Sequence, residues 1–395
     1  MDTVILKLYG PHKFKIQKHD WFLPEINKRE YKDLTPNEQK QPPARNYLRR
    51  FHLQAPSQGK YIPQVDVLET LDKTTKQVKY VMIITFSVPK LLYGNSVQEV
   101  CDTDFAKTIA VLQHTLSNAG IQIEKKNLMD ARVSAVHFCK NIFLPKHVLL
   151  QDVLADLQRV DINRTVDVTT KETKNGGQIL HLYSGVVERV FYDKVTDAVR
   201  TKNKRKDKGQ MDYERTVIDE YGLQDKEIFR YEYRIKKTQT VERIINATLE
   251  QKPKTYITFR DVFSPELSKQ VLLQSWRELV GRPENQLALI GPTDSYKLLQ
   301  HIVENAKANG GAHSMNHALI AYGLTCIIRD HGAKELKRLI FNHWNPKHPE
   351  RLNKKIQSAS ELTKELPYSN GVAFVDGQLE TYELITRQYL NNLLL

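Results

Sequence analysis

One eight-residue stretch, Ile228–Ile235, constrains the fold more than any other. It reads Ile-Phe-Arg-Tyr-Glu-Tyr-Arg-Ile, and from Phe229 onward apolar and charged residues alternate one by one. Successive side chains of an extended strand point to opposite faces. Phe229, Tyr231, Tyr233 and Ile235 therefore form an apolar, aromatic face, and Arg230, Glu232 and Arg234 a charged column on the other. Such a strand needs a sheet packed on one side and open to polar chemistry on the other.

Its neighbours supply that sheet. Residues 4–8 read as a first strand. Residues 61–71 and 78–88 read as a hairpin around the polar turn 72–77, and residues 81–88 are apolar on both faces, as in a central strand. Strands are expected at 132–144, 165–170, 179–183, 186–194 and 227–237. Amphipathic helices are expected at about 103–118 (Phe105, Ile109, Leu112 and Leu116 on one face), 147–160 and 241–249. Several strands follow one another directly, which predicts an α+β fold with a central antiparallel sheet flanked by helices. Beyond residue 255 the pattern turns helical (265–280, 294–308, 316–331, 334–343). This predicts two domains, 1–252 and a mainly α-helical 253–395. Inside the first, residues 11–58, with Pro24, Pro36, Pro42, Pro43 and Pro56, read as an irregular polar excursion, and 196–224 as a basic insertion.

Charge narrows the function. Lys and Arg number 59 against 46 Asp and Glu, a net +13, with a sequence pI of about 9.3. That excess favours a polyanionic partner, most commonly nucleic acid. Six of the nine residues 200–208 are basic: Arg200, Lys202, Lys204, Arg205, Lys206 and Lys208. A solvated loop and a phosphate-contacting arm both fit this run. There is no stretch of about 18 apolar residues, so no membrane partner is expected. The N-terminus lacks a signal-peptide layout, and a cytoplasmic location is expected. Three scattered cysteines fit neither a disulfide framework nor a zinc site. No GxxxxGK[ST], GxGxxG or GxSxG motif occurs, nor a His-hydrophobic-His pair.

Three strands carry candidate chemistry. Glu232 between Arg230 and Arg234 suits a metal that meets phosphate, with the arginines holding the phosphate oxygens. Alternating charge on a solvated sheet face gives the same pattern. Tyr192 stands on the strand 186–194, with Lys194 two residues on along the same face to lower its pKa or to hold a phosphate. One tyrosine among 18 is unremarkable by itself. His137, mid-strand in apolar company, is a metal ligand only if a partner such as Glu232 joins it; otherwise it is a hydrogen-bonded core residue. His313 and His317 lack the Glu of an HExxH site and read as helix-start residues.

Four motifs in order resemble the filamentous-phage replication initiators of the gene II protein class. They are Phe86-Ser87-Val88-Pro89-Lys90-Leu91-Leu92-Tyr93-Gly94-Asn95, then 131–143, then Tyr183-Ser184-Gly185 with Arg189-Val190-Phe191-Tyr192-Asp193-Lys194, and finally 229–236. The chain is similar, more distantly, to plasmid rolling-circle initiators of the HUH endonuclease superfamily. The resemblance covers about residues 78–250. It implies an HUH-like sheet and metal-dependent nicking and rejoining of one strand at an origin through a 5′-phosphotyrosine. Tyr192 is then the nucleophile and Lys194 its helper. Glu232 and His137 hold Mg²⁺ or Mn²⁺; the family pattern names no third ligand here, and His181, on the strand ending at Tyr183, is the candidate. Arg230 and Arg234 steady the phosphate. His137 departs from the family, whose strand usually carries an aspartate; a histidine ligand suits Mn²⁺ or other transition ions and leaves the choice of metal open. Expected partners are single-stranded or supercoiled origin DNA, a helicase and a single-stranded-DNA-binding protein in a bacterial or archaeal host. The alternative is a basic, non-catalytic replication or transcription regulator that binds nucleic acid.

Overall fold

The computed structural model describes residues 1–24, 49–54, 61–71, 78–161, 170–174, 179–199, 213–249, 253–308, 314–344 and 348–393. The alternation of residue types becomes a large antiparallel sheet. The described strands are β1 (Thr3–Tyr9), β2 (Lys15–Ile16), β3 (Phe22–Pro24), β4 (Arg49–Leu53), β5 (Gln64–Leu71), β6 (Val78–Ser87), β7 (Ile121–Gln122), β8 (Arg132–Phe143), β9 (Thr170–Lys174), β10 (Ile179–Ser184), β11 (Val187–Asp193) and β12 (Ile228–Ile235). The large sheet runs in the order β3-β4-β5-β6-β1-β8-β12-β11-β10-β9, while the short β2 and β7 pair separately. The expected hairpin is β5 with β6, and β12 sits between β8 and β11. Its central position explains why every residue from Ile228 to Tyr233 is buried.

The polar excursion is less irregular than its prolines suggest. Phe22–Pro24 and Arg49–Leu53 extend the sheet beyond β5, with Arg50 and His52 both 2.7 Å from the buried Asp66. Pro24 lies in an edge strand, where a missing N–H costs least. That long-range pairing leaves no mark in the local pattern of 11–58. Residues 25–48 and the basic residues Arg200, Lys202, Lys204, Arg205, Lys206 and Lys208 lie outside the described residues.

Helices cover the aromatic face. Phe191, Tyr231 and Trp276 form its centre; the first two rings stack at 4.9 Å, and Trp276 meets them at 6.3 and 6.0 Å. Trp276 belongs to the helix Pro265–Val280, so part of the helical C-terminal region shares one core with the sheet; Val372 and Leu379 of the helix Asn370–Thr381 join it. A second core, including Leu298, Ile302, Ala318, Ile328 and Ile356, packs the remaining C-terminal helices against one another. A third, smaller cluster gathers Val97, Val195, Ile218, Ile385 and Leu390 around Ile228, at the start of β12. Among the described residues no helix is long and apolar enough to cross a membrane.

Candidate active site

The site grows from the even-numbered side chains of β12. Register places Arg230 between Asn141 and Tyr192, Glu232 between Cys139 and Val190, and Arg234 between His137 and Glu188. Tyr192 and the Arg-Glu-Arg column thus share a face, although 40 residues of sequence separate Tyr192 from Glu232.

Glu232 is the hub. Its Oε1 accepts the Tyr192 hydroxyl at 2.6 Å and Arg230 Nε at 2.7 Å; its Oε2 accepts Arg234 Nε at 2.8 Å and Nη2 at 2.6 Å. Burial alone would hold a proton on this carboxyl. The charges of Arg230 and Arg234 outweigh burial and keep it ionised, well below the usual carboxylate range. Tyr192 is pushed the other way. Burial raises its phenol well above the ordinary value, and the Glu232 charge adds to this against the opposing Arg230. The hydroxyl is therefore a firm donor in the resting site.

Arg230 is 1% exposed, and each of its three nitrogens is engaged. Nη1 bonds the Ser96 carbonyl at 2.8 Å and Asn141 Oδ1 at 3.1 Å, and Nη2 meets Asp2 Oδ2 at 3.0 Å. Ser87 Oγ donates to Asp2 Oδ1 at 2.8 Å. Arg234 is about one-quarter exposed and continues to Glu188 at 3.7 Å, which also binds Lys236. The site is closed at Arg230 and opens toward Arg234.

The first motif of the resemblance builds the cover. Ser87 caps the helix Val88–Tyr93, with Pro89 in its first turn, and Gly94, at φ 76°, ends it in the left-handed conformation a Cβ disfavours. Asn95 Oδ1 then accepts the N–H groups of Val97 and Gln98 at 3.1 and 2.9 Å, fixing the turn that presents the Ser96 carbonyl to Arg230.

Lys194 lies elsewhere than its spacing suggests. The strand stops at Asp193, and Lys194 opens the helix Lys194–Val199. Its buried Nζ binds Ser96 Oγ at 2.9 Å and Glu214 at 3.2 Å, and Glu214 also takes Ser96 Oγ at 2.5 Å. Burial lowers the Lys194 pKa despite Glu214. Lys194 thus steadies the loop above Arg230, and no described hydrogen bond joins it to Tyr192.

His137 faces Arg234 across the β8–β12 pair. Burial and the Arg234 charge lower its pKa, with Glu232 opposing. His181 stands opposite Val190, one strand beyond β11, and stacks on Tyr183 at 5.6 Å. His317 meets Ser358 Oγ at 2.5 Å, far along the chain from β12, and His313 lies outside the described residues. No group of three or more His, Cys, Asp or Glu among the described residues is arranged to hold a metal ion. Glu232 already receives four charge-assisted hydrogen bonds, and two guanidinium groups sit within 3 Å of it. A divalent cation would meet positive charge and no open lone pair, so these residues do not fit a metal in this arrangement.

Asp2, Ser96, Asn141, Glu188 and Glu214 belong to the site, and no motif singles them out. Two are within reach of the sequence: Glu188, which alternation puts on the Tyr192 face of its strand, and Asn141, by counting along β8 from an assumed β8–β12 register. Comparison with known proteins finds no matching family model, curated protein or solved structure.

Proposed function

We propose that this protein nicks and rejoins single-stranded DNA through Tyr192, as a rolling-circle replication initiator does, on a sheet of the HUH-like kind. The reading rests on one observation: the Tyr192 hydroxyl donates to Glu232 Oε1 at 2.6 Å, on the same carboxylate that Arg230 and Arg234 grip. The +13 charge and the ordered motifs support it.

In this reaction a backbone phosphate enters from the Arg234 side and draws the guanidinium groups off Glu232 onto its non-bridging oxygens. The relieved carboxylate regains basicity and takes the phenolic proton. Tyr192 oxygen attacks phosphorus, and the bond to the 3′ oxygen breaks. That oxygen leaves as a hydroxyl by taking a proton from water, the proton held on Glu232 neutralises the hydroxide so formed, and the 5′ phosphate stays on Tyr192. The reverse steps rejoin the strand without ATP. Arg230 and Arg234 neutralise charge growing on the phosphate. Without a phosphate-loop motif of its own, the chain relies on a separate helicase and single-stranded-DNA-binding protein.

A second reading has its own support: Tyr192 is buried, and its hydroxyl is held by an acid that keeps its charge. Under it the protein is a non-catalytic binder. An adduct assay on labelled single-stranded origin hairpins separates the two, run with Mn²⁺ and with a chelator in parallel. The proposed enzyme gives a denaturation-resistant protein–DNA adduct that disappears in Tyr192→Phe and in Glu232→Ala, the latter still binding DNA. Adduct with chelator supports Glu232 as proton acceptor, and adduct only with Mn²⁺ moves Glu232 to a metal. Equal adduct from Tyr192→Phe moves the nucleophile elsewhere, and no adduct at all favours the binder.

A further inference from the structure

A groove of about 820 Å³ lies between the N-terminal segment and the helix Asp104–Asn118. Five of its lining side chains carry or can carry positive charge: His12, Lys13, Lys15, His114 and Lys125. Glu124 is the one acidic residue among the described residues that line it.

The groove lies on the sheet face opposite Tyr192. Register carries Phe86 through Val4 and Val136 to Ile235, which shares the aromatic face of β12. Phe86 packs on Phe259 at 5.7 Å, and Phe259 on Phe105 of the helix Asp104–Asn118, also at 5.7 Å. The charged column of β12 points the other way, so one strand of nucleic acid lying on Tyr192 does not enter the groove without passing around the sheet.

The basic segment is held in shape. Lys15 and Ile16 pair with Gln122 and Ile121, Gln17 N–H donates to the Gly120 carbonyl at 2.8 Å, and Asn127 Nδ2 donates to the Lys13 carbonyl at 3.3 Å. Gly120 turns the chain at φ 75°, and a Cβ there would stand 2.7 Å from Lys18 Cβ. Phe14 and Ile16 pack against the core while Lys15 stays exposed. Backbone bonds thus fix a row of cations whose charge meets little acid nearby, an arrangement that lowers the ordering cost of binding a polyanion.

We infer that this groove is a second nucleic-acid site, which grips the phosphodiester backbone of a strand through Lys13, Lys15 and Lys125 while another part of the DNA occupies the Tyr192 face. It takes its class of ligand from the function proposed above, and it makes the protein bivalent for DNA. The test is fluorescence anisotropy of the full chain with a labelled single strand and with the matching duplex, across a salt series. The groove variant is Lys13→Glu/Lys15→Glu/Lys125→Glu. Its control, of equal net charge, is Lys354→Glu/Lys355→Glu/Lys364→Glu, whose lysines are exposed on the helical C-terminal region.

The groove variant is expected to bind the single strand at least tenfold more weakly. Its slope of log affinity against log salt should shrink by about two, near the 0.7 per neutralised phosphate of single strands. The control should change less than threefold, and Lys→Arg at the same three groove positions should keep wild-type affinity. Equal weakening in both triple variants would mean diffuse charge and overturn the site, as would wild-type binding by the groove variant. If the charge reversals unfold the chain, Lys→Gln at the three positions gives the same comparison with a smaller loss. Inorganic phosphate at matched ionic strength should not displace the strand; if it does, the groove is a small-anion site instead. Wild-type protein that makes no adduct while the groove variant loses affinity would sink the Tyr192 reading and leave the groove standing.

Discussion

The two faces of β12 are made from alternate residues of one strand and are stabilised in different ways. On one, Tyr231 stacks with Phe191 and meets Trp276, and contact area supplies most of the stability. On the other, Arg230, Glu232 and Arg234 are held by directed bonds to Tyr192, Asp2, Ser96 and Asn141. The apolar face tolerates a swap of similar volume. The charged face does not, because each group removed leaves another buried without a partner.

Breaking the charged face should have the largest effect. Arg230→Ala leaves Asp2 and Glu232 without their shared cation and should cost about 3–5 kcal/mol, read from urea midpoints. Leu279 is buried in the helix Pro265–Val280, in the same core as Tyr231 and Trp276, and Leu279→Met, a volume-conserving change there, should cost less than about 1.5 kcal/mol. Equal costs would erase the contrast.

Acid sharpens it next. The folded state depresses the Glu232 pKa below its ordinary 4.5. The stability this contributes is present above about pH 4.5 and is lost as pH falls from there toward the folded value. Wild-type protein should therefore lose stability in that acid window, and Glu232→Gln, less stable at neutral pH, should show a flatter profile in thermal melts. Parallel profiles would remove Glu232 from the account.

The smallest effects compare two hydroxyls. Tyr192→Phe removes a bond to a charged acceptor and should cost about 1.5–3 kcal/mol, whereas Tyr231→Phe loses a neutral partner, Ser275 Oγ at 2.9 Å, and should cost about 1 kcal/mol. The order of the two, measured by denaturant unfolding, is the informative result.

Much of the sheet was legible because alternation is local. The faces of β12, the β5–β6 hairpin and the helix over 265–280 follow from residue spacing alone. The place of Lys194 escapes such reasoning because alternation carries no stop signal: the strand ends at Asp193, whose carboxylate accepts the Val195 N–H at 2.9 Å. β4 is hidden because one of its two partners, β3, lies across the long connection 25–48.

By itself the sequence determined the two faces of the central strand, the basic character of the chain and the shortlist of Tyr192, Glu232 and the two arginines. Only the tertiary structure decided what they do to one another. Asp2, Ser96 and Asn141 reach Arg230 from distant parts of the chain and hold it beside Glu232, where its charge and that of Arg234 keep the carboxyl ionised against burial, while burial keeps the proton on Tyr192.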